Sequence, residues 1–121
     1  MYLFKRQTLL TVVFLLTLSA CGGGGGTTAP TDTTVPTVSS TAPVDSATSV
    51  ARNSTVTATF NEDMFATTVD ATSFTLSKSG AINGAVTFEG STNVATFTPG
   101  NELAILATYT ATLSTAITDL S

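Results

Sequence analysis

The sequence predicts an all-β fold, an antiparallel sandwich of two sheets that follows an export leader and a flexible tether. Three observations carry the prediction. Several stretches alternate apolar and polar residues with a period of two, as strands with one buried face do. Turn-forming residues separate those stretches at short intervals: Ser79-Gly80, Asn83-Gly84, Glu89-Gly90-Ser91-Thr92-Asn93 and Pro99-Gly100-Asn101. No stretch sustains a helical period, and Asp63-Met64-Phe65-Ala66-Thr67 is expected to form a single helical turn capped by Asp63.

The chain opens with residues 1–20, which read as a leader. Lys5-Arg6 is a short basic start, and Leu9 to Leu18 is an apolar run of ten residues broken by Thr11 and Thr17. A membrane-spanning helix needs about 20 apolar residues, so this run is too short to be a mature anchor. A basic start, a short apolar middle and a small-residue end make a secretory signal. Its end, Leu18-Ser19-Ala20-Cys21, resembles the lipobox of bacterial lipoproteins. The resemblance implies that Cys21 receives a thioether-linked diacylglyceryl group and becomes the mature N-terminus, attached to the membrane by its acyl chains. Each buried CH₂ contributes roughly 0.8 kcal/mol, and two or more chains hold a protein stably at a bilayer. Gly22, not Asp, follows the cysteine. By resemblance to lipoprotein sorting, this favours the outer membrane or cell surface over the inner membrane.

Residues 21–35 form the tether. Five consecutive glycines, Gly22 to Gly26, are followed by a Thr/Pro-rich stretch with no hydrophobic period. Such a segment is flexible and solvated, with an r.m.s. reach of roughly 20 Å.

Residues 36–121 form the domain. Thr37-Val38-Ser39-Ser40 reads as a short edge strand. Ser54 to Phe60 alternates strictly, with Val56, Ala58 and Phe60 on one face and threonines on the other. Phe74-Thr75-Leu76-Ser77, Ala85-Val86-Thr87-Phe88 and Val94-Ala95-Thr96-Phe97 read as three further strands, the last two joined as a hairpin. Thr108 to Leu113 has the clearest alternation, with Tyr109, Ala111 and Leu113 inward. Asn83-Gly84 suits the positive-φ positions of a tight turn.

Pro36-Thr37-Val38 with Thr41-Ala42-Pro43-Val44-Asp45-Ser46-Ala47, then Phe60-Asn61-Glu62-Asp63-Met64, resembles the opening motifs of the bacterial Ig-like domains named after an S-layer protein (SbsA Ig-like). Ala95-Thr96-Phe97-Thr98-Pro99 and Thr108-Tyr109-Thr110 match later strands of that family, and Asp119-Leu120-Ser121 resembles the start of its final turn. The resemblance implies an Ig-like β-sandwich and a role as an accessory module of surface proteins. The family's Gly-Asn and last strand are not present, so the chain reads as C-terminally truncated. A sandwich lacking that strand is expected to leave a neighbouring strand open to pairing. Extension past Ser121 is expected to raise the melting temperature.

Composition narrows the function. After Cys21 there are two basic residues, Arg52 and Lys78, against eight acids. No basic stripe exists to neutralise phosphates, so nucleic acid is not a partner. The chain has no His, which removes the usual general base and the commonest metal ligand. A serine nucleophile without a base has no means of activation, and the chain is read as non-enzymatic with no cofactor. Asn61-Glu62-Asp63 is the densest acidic cluster and the one candidate site for Ca²⁺, which takes oxygen ligands. Three adjacent residues do not all point at one ion, however, and a turn serves as well. Tyr109 reads as core or as a corner residue whose hydroxyl bonds back to the chain. Met64 and Phe65 read as a cap on one end of the core.

The expected function is that of a lipid-anchored cell-envelope module, a structural spacer or interaction domain of a surface protein. The alternatives are a binding module for an envelope polysaccharide or protein, and the non-catalytic anchor part of a larger extracellular hydrolase.

Overall fold

The computed structural model describes residues 3–8 and 32–120. The expected processing site at Cys21 and the glycine tract lie outside those residues. Among the described residues there are eight strands: β1 (Leu3–Thr8), β2 (Val38–Ala42), β3 (Val56–Phe60), β4 (Phe74–Ser77), β5 (Ala81–Ile82), β6 (Gly84–Glu89), β7 (Val94–Pro99) and β8 (Thr108–Leu113). They form two four-stranded sheets, in the orders β2-β3-β7-β6 and β1-β8-β4-β5. Every pairing is antiparallel except β1 with β8, which run parallel. The strands β2, β3, β7 and β6 against β4 and β8 reproduce the sheet order of an immunoglobulin sandwich. The outer edge of β8 is covered by β1.

The period-two pattern explains the layers. In β3, Val56, Ala58 and Phe60 are buried while Thr57 and Thr59 are half-buried between them. The register sets Val56 opposite Phe97 and Ala58 opposite Ala95 on the inner face. Thr57 then faces Thr96, which on its other side faces Thr87 of β6. This is a ladder of threonines across the outer face, where β-branched side chains pack well and hydroxyls meet water. The second sheet repeats the device, with Thr75 opposite Thr112 and Ser77 opposite Thr110.

Between the sheets lie Phe60, Phe74, Leu76, Phe97, Tyr109 and Ile117, each at most 3% exposed. The Phe74 and Phe97 rings lie 5.9 Å apart at a tilt of 58° and tie one sheet to the other. Phe88 is half-buried at the margin of the core, edge-on to Phe60 at 6.3 Å.

Two local expectations are corrected. Gly84 is the first residue of β6 and not part of a turn. A methyl group there would come within 2.5 Å of both the Phe97 ring and the Thr98 carbonyl oxygen, so the glycine permits close approach of β6 to β7. The tight turn belongs to Ser79-Gly80 instead: Ser79 has φ 55°, and the Lys78 N–H donates to the Gly80 carbonyl at 2.9 Å. The helical turn is a 3₁₀ turn at Ala66–Thr68, with Phe65 at its N-cap position and no side-chain cap. Asp63 does not cap it, because its carboxylate is engaged elsewhere.

Candidate functional site

The acidic cluster sits where β3 ends. Asn61 is exposed, and both its backbone and its side chain bind the segment that enters the domain. Its Oδ1 accepts from the Thr37 N–H at 2.6 Å, and its own N–H donates to the Thr37 carbonyl at 3.0 Å. Its Nδ2 donates to Glu62 Oε1 at 3.3 Å. Asp63 turns the other way: its Oδ1 accepts from Asn93 Nδ2 at 3.1 Å. Asn93 closes the β6–β7 hairpin at φ 55°, a left-handed conformation that Asn tolerates better than most residues, and its carbonyl accepts from the Phe60 N–H at 2.8 Å. Asn61 and Asp63 thus fasten two different segments to the end of β3.

Asp119 comes to the same end. It forms an isolated antiparallel bridge with Met64, flanked by the Phe65 N–H donating to Thr118 at 2.9 Å and the Leu120 N–H donating to Asp63 at 3.1 Å. The apolar residues beneath this seam are Met64 and Ile117, both buried, whereas Phe65 is 46% exposed. Of the two expected end-caps of the core, Met64 fills that role and Phe65 faces solvent.

Glu62 is half-buried, and this desolvation, with the charges of Asp119 and Asp32 added, pushes its carboxyl above the usual range. Among the described residues, no group of three or more His, Cys, Asp or Glu side chains lies together as a metal ion would require. Of the three residues singled out for Ca²⁺, Asn61 and Glu62 are hydrogen-bonded to each other, with Asn61 also held to Thr37, whereas Asp63 bonds to Asn93.

At the opposite end of β3 the arrangement is different in kind. The Tyr109 hydroxyl accepts from the Ala104 N–H at 2.7 Å, five residues upstream, while its ring is buried. This is the corner that fixes the loop before β8. The Leu103 N–H donates to the Arg52 carbonyl at 2.8 Å, and Arg52 Nε returns a bond to the Leu103 carbonyl at 2.9 Å. Arg52 also pairs with Glu102 at 3.0 Å, an exposed ion pair of little energetic consequence. At the tip of this loop Ile105 and Leu106 are 66% and 79% exposed, with Leu106 at φ 54°. Val44, in the loop leaving β2 toward the start of β3, is 66% exposed at the same end. Sequence reading missed this apolar tip. The signal was available in Ile105-Leu106, which continue no alternating run.

In this arrangement hydroxyl, amide and carboxylate groups fasten loops to the ends of the sandwich. Comparison with known proteins agrees with the fold. The profile of the family described as "Bacterial Ig-like domain" matches residues 32–121. Among solved structures, the crystal structure of the S-layer protein rSbsC(31-844) superposes with a TM-score of 0.53 at 22% identity, over 69% of this chain and 11% of that one. The chain thus spans about a ninth of the length of that protein. No curated protein matches the chain. With its strand order, its tyrosine corner and the family profile covering its domain, the chain belongs to the bacterial Ig-like domains.

Proposed function

We propose that this protein is a lipid-anchored Ig-like module of the SbsA type at the bacterial cell envelope, serving as a structural spacer in a surface protein. The observation that carries the reading is Leu18-Ser19-Ala20-Cys21 followed at once by five glycines. A lipidated cysteine, a flexible reach and a small sandwich without catalytic groups form a coherent whole: anchor, tether, presented domain. The domain does no chemistry in this reading. Its cofactor is none, and its membrane contact runs through the acyl chains on Cys21.

The geometry of the sandwich supports the presentation. The chain enters β2 at the acidic end, beside Asn61, and in this reading that end lies toward the anchor. The opposite end, with Val44, Ile105 and Leu106 exposed, points away from it. A second reading is favoured by that tip: an envelope protein or polysaccharide bound at the distal loops.

Cell fractionation of the wild type and of Cys21→Ser separates the possibilities. Wild-type protein is expected in the membrane fraction, released by detergent but not by salt, and the variant in the soluble fraction. Equal membrane association of both would dispose of the lipid anchor.

A further inference from the structure

We infer that Asn83 is a modification site, where attack by the backbone nitrogen of Gly84 and then by water turns the asparagine into aspartate and isoaspartate and loosens the crossing from β5 to β6. Asn83 is the single residue between those two strands, and so between the two sheets. It is exposed, and a glycine follows it. A backbone nitrogen reaches the carboxamide of the preceding asparagine most readily when its own residue carries no Cβ to stand in the way.

Packing fixes this dipeptide. A Cβ on residue 84 would lie 2.5 Å from both the Phe97 ring and the Thr98 carbonyl oxygen, so the fold demands glycine there. The sheet also leaves the nucleophile accessible. The Asn83 carbonyl accepts from the N–H of Gly100, the residue after β7, at 2.9 Å. The peptide bond between Asn83 and Gly84 is trans, so the Gly84 N–H points the opposite way, away from β7. Among the described residues β6 is the outermost strand of its sheet, and that N–H faces out of the ladder. The other asparagines differ. Asn61 and Asn93 hold their side chains in hydrogen bonds and precede Glu62 and Val94. Asn53 and Asn101 are exposed but precede Ser54 and Glu102.

The reaction needs only water. A bond forms between the Gly84 nitrogen and Cγ of Asn83, and the bond from Cγ to Nδ2 breaks. Nδ2 leaves as ammonia with the proton that the Gly84 nitrogen gives up, and a five-membered succinimide remains. Water then opens the ring at either carbonyl. Cleavage at Cγ leaves the main chain as it was, with aspartate at position 83. Cleavage at the α-carbonyl leaves the chain running through Cγ, as isoaspartate. In that product the backbone has one more atom between the sheets, and the carbonyl that accepted from Gly100 becomes part of a free carboxylate. Gly84 has no room to absorb the added atom by moving inward, because it already lies against Phe97 and Thr98.

The test ages the full chain, folded, in mildly alkaline buffer made with heavy-oxygen water, and maps its peptides by mass spectrometry at intervals. Residue 83 is expected to convert severalfold faster than Asn53 and Asn101, to take up one heavy oxygen, and to give two products of equal mass and different retention. Conversion at residue 83 no faster than at Asn53 and Asn101, or none at all, overturns the inference. The melting temperature of the aged protein is expected to fall below that of fresh protein, and an unchanged value overturns the loosening. Asn83→Gln keeps the amide but puts it one carbon too far for the five-membered ring. Aged alongside, this variant is expected to keep its melting temperature, and a fall equal to that of the wild type overturns the link between the modification and the loosening. The peptide map of the wild type stands as a test whether or not the variant folds.

Discussion

Tyr109 combines two roles that separate cleanly by substitution. Its ring fills the core and its hydroxyl accepts from the Ala104 N–H. Tyr109→Phe keeps the ring and leaves that N–H without its acceptor, at an expected cost of about 1–3 kcal/mol in chemical denaturation. Gly84→Ala is expected to cost a comparable amount, about 1–3 kcal/mol, because the added methyl meets the Phe97 ring and the Thr98 carbonyl and β6 must move outward. Gly80→Ala, with open space around it, serves as the tolerated control. The acids respond to pH in opposite directions. Burial raises the Glu62 pKa, so the folded protein holds that proton more tightly than the unfolded chain does. The stability this gives is full below the unfolded pKa and fades as pH rises through the folded one. Glu62→Gln is therefore expected to raise the melting temperature at pH 7, and the gain is expected to vanish by about pH 3, where the wild-type residue is itself neutral. Asp70 behaves in the reverse sense. Bonds from the Thr72 hydroxyl and N–H and from the Ser73 N–H hold its carboxyl below the usual range. Its contribution is present above the unfolded pKa and is lost as pH falls through the folded one. Asp70→Ala is expected to lower the melting temperature at neutral pH and to make no difference in strong acid.

Elements are held by alternation within strands and by side chains at their ends. The last described segment illustrates the second kind of support. Ile117 is fully buried, and the backbone just after it, at Thr118 and Leu120, bonds to the Asp63–Thr68 loop. Ile117→Ala is expected to cost about 2–5 kcal/mol and to loosen that loop, visible as faster amide exchange at Phe65 and Leu120. What was legible in the sequence follows the same division. β4 and β8 match their predicted bounds residue for residue, because a period of two with one buried face is a local signal. β3 is shorter than its alternating run, since its pairing with β7 begins at Val56. The ends were harder. Asp63 reads locally as a cap, yet it bonds to Asn93, 30 residues away, and only the β6–β7 hairpin brings the two together. Gly84 reads as a turn residue for the same reason: the Phe97 ring that excludes a side chain there is distant in sequence. The pairing of β1 with β8 had no local signal either.

For the whole molecule, polarity along the long axis is the feature that links fold to function. Entry of the chain, the acidic residues and the Met64–Asp119 bridge share one end. The tyrosine corner and the exposed Val44, Ile105 and Leu106 share the other. In the proposed arrangement, a domain tethered at its acidic end would stand with its apolar tip outward, which suits a spacer that also presents a contact surface. Ile105→Ser with Leu106→Ser is expected to change stability by no more than about 0.5 kcal/mol, because both side chains face solvent. Retention of the protein on envelope extracts is expected to fall if the tip is a contact surface. All of this depends on the anchor, and the anchor depends on Cys21. Mass spectrometry of the N-terminal peptide from membrane-extracted protein tests it most directly. The account predicts a peptide that begins at Cys21 and carries a diacylglyceryl thioether. A peptide with an unmodified Cys21, or one still preceded by Ala20, would contradict it.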